Sequence, residues 1–154
     1  MKIRIIAIAK KSQNWMVSAE ADFLARIKNF AEIELTLISP FDENSLGVEK
    51  ARRNEGEKIL EKIHTDEFVI ACERGGRSLS SEEFAQIFGK LRDDSRKIVF
   101  VIGGSNGLDQ IVLQKSELQI SFSKLTFPHE LFRVILLEQI YRSFMILGNR
   151  KYHK

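Results

Sequence analysis

The sequence holds a single cysteine, Cys72, two prolines and nine glycines in 154 residues. One cysteine cannot close an internal disulfide, and inside an apolar run it reads as a reduced core thiol. So few prolines and glycines leave little room for a disordered linker. The three histidines, His64, His129 and His153, lie far apart in the chain and show no zinc-like spacing. No carboxylate cluster points to a catalytic metal, and the glutamates of residues 49–61 read as a solvated helix face. No apolar run approaches the roughly 18 residues of a membrane span. The opening MKIRIIAIAKK has basic flanks, but its apolar core is too short for a secretory signal and no small-residue cleavage pattern follows. A cytoplasmic protein without a membrane partner is expected. Neither G-x-G-x-x-G nor a G-K-[ST] ending occurs, so dinucleotide and P-loop phosphate sites are unsupported.

What is present suits a globular chain. Hydrophobic residues make up 44% and charged residues 29%, enough for one core without disulfide or metal staples. A single domain over residues 1–154 is expected. The net charge of +3 is compatible with a polyanionic partner but does not demand one. Its placement says more: Arg150-Lys151-Tyr152-His153-Lys154 ends the chain with three fixed cations, an aromatic ring and a histidine. Cations neutralise phosphates and flat rings stack on bases. A solvated charged tail is the plainer reading of the same residues.

Strand and helix patterns alternate. Residues 3–9, 32–39, 67–73, 97–102 and 118–122 read as strands, and KIVFVI (97–102) has the continuous apolar character of a central strand covered on both faces. Residues 14–31, 48–64, 80–91, 108–116 and 129–147 read as helices. The first carries Trp15, Ala19, Phe23, Ile27 and Phe30 near one face. Residues 40–47 read as a loop, Gly75-Gly76 as a chain break, and Ser80 with Glu83 as a capping box. The fold expected is α/β, with a mainly parallel sheet flanked by helices.

The last helix is apolar around most of its circumference. Leu131, Val134, Leu137, Ile140, Tyr141, Phe144 and Met145 take one side, Phe132, Ile135 and Leu136 widen it, and only Glu138, Gln139, Arg142 and Ser143 form a polar strip. A helix of this kind must be buried on most sides. A second copy of the chain would do this, and so would a sandwich within one chain. Arg133 lies in the apolar face and requires a carboxylate, a subunit boundary or a ligand.

Ligands of open α/β sheets bind at the C-terminal strand ends. Three such ends carry notable chemistry: Cys72-Glu73-Arg74-Gly75-Gly76, Gly103-Gly104-Ser105-Asn106-Gly107, and Ser123-Lys124-Leu125-Thr126-Phe127-Pro128. Glycines allow close backbone approach, and the rigid Phe-Pro step can offer backbone groups to an adenine between apolar walls. Each segment is also compatible with an ordinary connection; Pro128 suits the first turn of a helix. No strong nucleophile arrangement appears, and Cys72 reads as structural.

These segments resemble the RlmH (YbeA-like) methyltransferases of the SPOUT class. The marks are MKIRIIAIAK, ERGGRSLSSEEFA, VIGGSNGL, SFSKLTFPHELFRVILLEQIYR and NRKYHK, and the likeness covers essentially the whole chain. The resemblance implies an α/β trefoil knot over roughly residues 97–147 with the tail at 148–154. It also implies a homodimer, and methyl transfer from S-adenosylmethionine to N3 of a pseudouridine in large-subunit (23S) ribosomal RNA of the assembled ribosome. RNA, not DNA, is the implied partner. By position, the cofactor contacts would be Cys72, Gly104, Ser123, Lys124, Leu125, Thr126, Phe127 and Pro128. Leucine is common in the family where Cys72 stands, and Ser105 and Asn106 replace a proline and a glutamate of some members. For the reaction, His129 and His153 are candidate bases, Tyr152 could stack on the target base, and Arg133 and Arg142 could hold phosphate or base oxygens. Two other classes stay open: an RNA-binding protein of the same fold without catalysis, and a flavodoxin-like nucleotide protein. The glycine-free loop Lys10-Lys11-Ser12-Gln13 disfavours the second.

Overall fold

The computed structural model describes residues 1–10 and 14–152. Lys11, Ser12 and Gln13 of the first loop, and His153 and Lys154 of the tail, lie outside the described residues. Five strands, β1 (Lys2–Ile8), β2 (Glu32–Ile38), β3 (Glu67–Ser78), β4 (Lys97–Ile102) and β5 (Leu118–Ser121), form one sheet in the order β2-β1-β4-β3-β5. All four neighbouring pairs are parallel. The helices are α1 (Asn14–Ile27), α2 (Glu43–Leu46), α3 (Val48–Leu60), α4 (Ser81–Asp93), α5 (Gln110–Lys115) and α6 (His129–Leu147).

Alternate residues of the strands feed two cores. Ile3, Ile5, Ile98, Phe100 and Ile70 meet α1, α4 and α6 on one face. Ile6, Ile8, Val69, Val99 and Val101 meet α3 and α5 on the other. β4 sits in the middle, and its side chains from Ile98 to Ile102 are all buried, as its unbroken apolar run requires.

Several local expectations are corrected. Residues 40–47 contain the one-turn helix α2, capped by the Asp42 carboxylate on the Asn44 N–H at 3.0 Å. Gly75-Gly76 does not end the third strand. Cys72 and Arg77 both pair with Ile120, so residues 73–76 leave the register and the pairing then resumes. Glycine is needed at 76, where a Cβ would lie 2.7 Å from the Ile120 nitrogen. Trp15 is 60% exposed rather than on the buried face of α1. The helix is turned so that Met16, Glu20 and Ile27 point inward, because Glu20 is the partner of Arg133: Nε to Oε1 is 2.6 Å, and the Arg133 side chain is 0% exposed. Arg133 thus has the carboxylate its burial demanded. On α6, Ser143 is buried instead of lying in a polar strip, and its hydroxyl donates to the Gln139 carbonyl at 2.8 Å.

A second buried ion pair ties the far end of the sheet. One Arg4 Nη donates to both Glu67 carboxylate oxygens at 2.9 Å and to the Lys62 carbonyl at 3.0 Å. Glu67 also accepts from the His64 N–H at 2.8 Å. The pair joins β1 to the turn between α3 and β3. Removing one member of a buried pair strands the other charge. Arg4→Met is therefore expected to destabilise the fold by about 3–5 kcal/mol, read as a lower urea midpoint.

Candidate active site

Because all strands run parallel, the excursion within β3 and the turns after β4 and β5 lie at one edge. They enclose a cavity of about 400 Å³, within the range of roughly 300–1,000 Å³ usual for small-molecule sites. β3 contributes Cys72, Glu73 and Arg74, β4 contributes Ile102 and residues 103–107, and β5 with its following segment contributes residues 120–123 and 125–127. His129 and Phe132 of α6 close it.

The middle turn is built from close backbone contacts. Gly107 has φ +73°, and its N–H donates to the Gly104 carbonyl at 3.0 Å. A Cβ on Gly103 would meet the Gly107 carbonyl carbon at 2.6 Å, so only glycine fits. Asp109 then caps α5, accepting from the Ile111 N–H at 3.1 Å. Below the turn lies Glu55 of α3. It is buried, which corrects the expectation that the glutamates of residues 49–61 form a solvated face. One Glu55 oxygen accepts from the Phe41 N–H at 3.1 Å, and the other lies 3.2 Å from the Cβ position of Gly104. Burial first, with the nearby Glu43 charge, raises the Glu55 pKa, while the Phe41 hydrogen bond opposes the shift. Asn106 donates to Glu43, tying the turn to α2.

The third turn is held by serine hydroxyls. Ser121 donates to the Ser123 carbonyl at 3.1 Å, and Ser123 Oγ accepts from the Leu125 N–H at 2.9 Å. This fold-back leaves Leu125 73% exposed at the rim. Pro128 immediately precedes α6, where the absence of an N–H costs nothing.

Of the residues singled out for the cofactor, Cys72, Gly104, Ser123, Leu125, Thr126 and Phe127 line the cavity, whereas Lys124 and Pro128 do not. Burial pushes the Cys72 thiol well above its ordinary pKa, so it acts as a neutral apolar wall. Of those singled out for catalysis, His129 lines the cavity. Arg133 is held by Glu20 in the interior. Arg142 binds Glu138 at 2.5 Å, and the Tyr152 hydroxyl donates to the same carboxylate at 3.1 Å. The Tyr152 ring packs edge-on to Tyr141 at 5.0 Å and lies under the Arg142 guanidinium. Burial, then the Glu138 charge, raises the Tyr152 pKa. This places the start of the tail on α6, outside the cavity lining. His153 is outside the described residues. The walls from Ile120, Phe122 and Phe132 were missed by sequence reasoning. Their only signal was apolarity, which core residues share.

Among the described residues no group of three potential metal ligands occurs, and no helix is long and apolar enough to cross a membrane. The lining combines flat apolar walls, turns of open backbone, one carboxylate, one guanidinium and one imidazole. That set suits a small ligand with a flat apolar part and a charged end.

Comparison with known proteins identifies the family. A family model described as predicted SPOUT methyltransferase matches residues 1–153. The chain is 41% identical over 153 residues to the ribosomal RNA large subunit methyltransferase H of Caldicellulosiruptor bescii, covering 99% of each chain. It is likewise 41% identical to the enzyme of the same name from Carboxydothermus hydrogenoformans, with both chains fully covered. A probable methylase family protein from Haemophilus influenzae Rd KW20 shares the fold with a TM-score of 0.56 at 20% identity, over 99% of this chain and 70% of that one.

Two outcomes follow from the turn. Gly103→Ala must push backbone against backbone, and is expected to cost about 1–3 kcal/mol, more than Gly104→Ala, where side chains can yield; urea denaturation measures both. The raised Glu55 pKa means that its protonated form favours the fold. That contribution is complete below the unfolded value near 4.5 and is lost as pH rises through the folded value. Glu55→Gln is therefore expected to melt at a higher temperature than the parent at pH 7.5, with the gap closing at pH 4.5.

Proposed function

Since the chain belongs to the SPOUT methyltransferase family, we propose that it methylates N3 of a pseudouridine in large-subunit (23S) ribosomal RNA of the assembled ribosome. The donor in this reading is S-adenosylmethionine, bound among the three turns. The observation that carries the reading is the convergence of Cys72, Gly104, Ser123 and residues 125–127 on one cavity of suitable size. Ile102, Ile120, Phe122 and Phe127 would sandwich the adenine, and the backbone of the turns would meet its edge. When bound, the donor supplies a methyl group made electrophilic by a sulfonium. The knot implied by the family would hold the turns together.

The chain has to do two things for the target base. It must exclude water from the reacting atoms, which the apolar walls favour. It must also accept the proton that N3 loses as that nitrogen takes the methyl group. His129, at the cavity and at the first position of α6, is placed for this. Arg142 and Tyr152 are fixed together on α6, and in this reading they meet RNA with the basic tail. A second copy of the chain is proposed to cover the half-exposed Leu131, Val134 and Ile135 of α6, and to bring its own tail to the site. Arg133, locked to Glu20, would orient α6 for that contact.

Transfer of tritiated methyl groups to ribosomes, isolated large subunits and free rRNA tests the proposal. Label is expected in the large-subunit RNA, greatest with whole ribosomes. His129→Ala is expected to lower kcat by about 10²–10⁴-fold with donor binding retained. A protein that binds S-adenosylmethionine but labels none of the three substrates would refute the enzymatic reading.

A further inference from the structure

The excursion of β3 between Cys72 and Arg77 delivers two opposite charges to the cavity side by side. Glu73 and Arg74 both line it. Neither forms an ion pair or a side-chain hydrogen bond within the described chain, although the neighbouring Arg77 pairs with Glu83 at 3.5 Å. Glu73 is half-buried, and one of its oxygens lies 3.7 Å from where a Cβ of Gly107 would stand. The missing side chain at 107 leaves that carboxylate open to the space between the β3 and β4 turns. Glu73 is therefore free to meet a charged group that enters the cavity.

We propose that Glu73 and Arg74 form a subsite for a zwitterionic α-amino acid group, with Glu73 taking the ammonium and Arg74 the carboxylate. This rests on the methyl-donor reading above and adds the part of the donor that the apolar walls and glycine turn cannot recognise. In an ordinary strand, adjacent side chains point to opposite faces. Here residues 73–76 lie outside the ladder, which is what lets consecutive residues share one cavity. The two opposite charges on adjacent residues of one wall suit a ligand end in which ammonium and carboxylate sit on one carbon. Arginine can grip a carboxylate with two parallel N–H groups. The contacts hold the amino acid end at the β3 excursion.

Two ligands that differ only in that end separate the contributions. S-adenosylhomocysteine carries the amino acid group; 5′-methylthioadenosine keeps the nucleoside and a thioether but lacks it. Their affinities are measured by calorimetry for the full chain and for the Glu73→Gln and Arg74→Gln variants. The parent is expected to bind S-adenosylhomocysteine the more tightly. Each variant is expected to weaken that ligand roughly tenfold or more, the usual loss for a charged hydrogen bond, while 5′-methylthioadenosine changes by less than about twofold. Retained binding of the second ligand also shows that the variants are folded. Parallel loss of both ligands, or no loss of either, would overturn the subsite. If the parent protein bound neither ligand, the methyl-donor reading itself would fail, a result distinct from the other two.

Discussion

Beside the cavity, backbone lies against backbone with no room for a methyl group. Gly76 presses on the β5 backbone at Ile120, and Gly103 presses on Gly107 across its own turn. The first contact closes the excursion of β3 and returns the strand to register. The second makes the β4 turn tight enough to end at the Asp109 cap of α5. A side chain at either place would push the turns apart, and the space they enclose would lose its walls. The site therefore depends on close packing of main chain, and the side chains that line it occupy positions that packing has already set.

The buried charges serve the same end from farther away. Arg4 with Glu67 anchors the opposite end of the sheet, and Arg133 with Glu20 locks α1 to α6. Such pairs add little net stability, because desolvation offsets the attraction, but they penalise any alternative that leaves one charge alone. The Arg133 pair fixes the rotation of α1 and so decides that Trp15 faces solvent. It also fixes α6, whose first residue, His129, enters the cavity. A charge within a core thus positions a residue one helical turn away at the rim of the cavity.

The cavity divides into regions of different chemistry. Apolar walls come from β4, β5 and the segment after β5, open backbone comes from the glycine turn, and charge comes from the β3 excursion. This division suits a ligand that is flat and apolar at one end and charged at the other. Arg142, Glu138 and Tyr152 form a separate polar group on α6, consistent with a surface that meets RNA. None of these three residues lines the cavity.

Local residue pattern determined the order of the strands and of the longer helices, the buried character of KIVFVI, the bounds of α6 and the capping box at Ser80, because these depend on residues close in the chain; it missed the one-turn α2. The likeness to a known family singled out Cys72, Gly104, Ser123, Leu125, Thr126 and Phe127, which line the cavity. Sequence could not tell that Gly75-Gly76 sits within a resumed strand, that Glu55 is buried beneath a turn, or that α1 presents Glu20 inward and Trp15 outward. Nor could it separate Ile120 and Phe122, which wall a cavity, from Ile98 and Phe100, which fill a core. Each of these depends on a partner far away in the chain: Ile120 for Gly76, Gly104 for Glu55, Arg133 for Glu20. Local pattern records whether a side chain prefers to leave water; only the folded chain decides what it meets when it does.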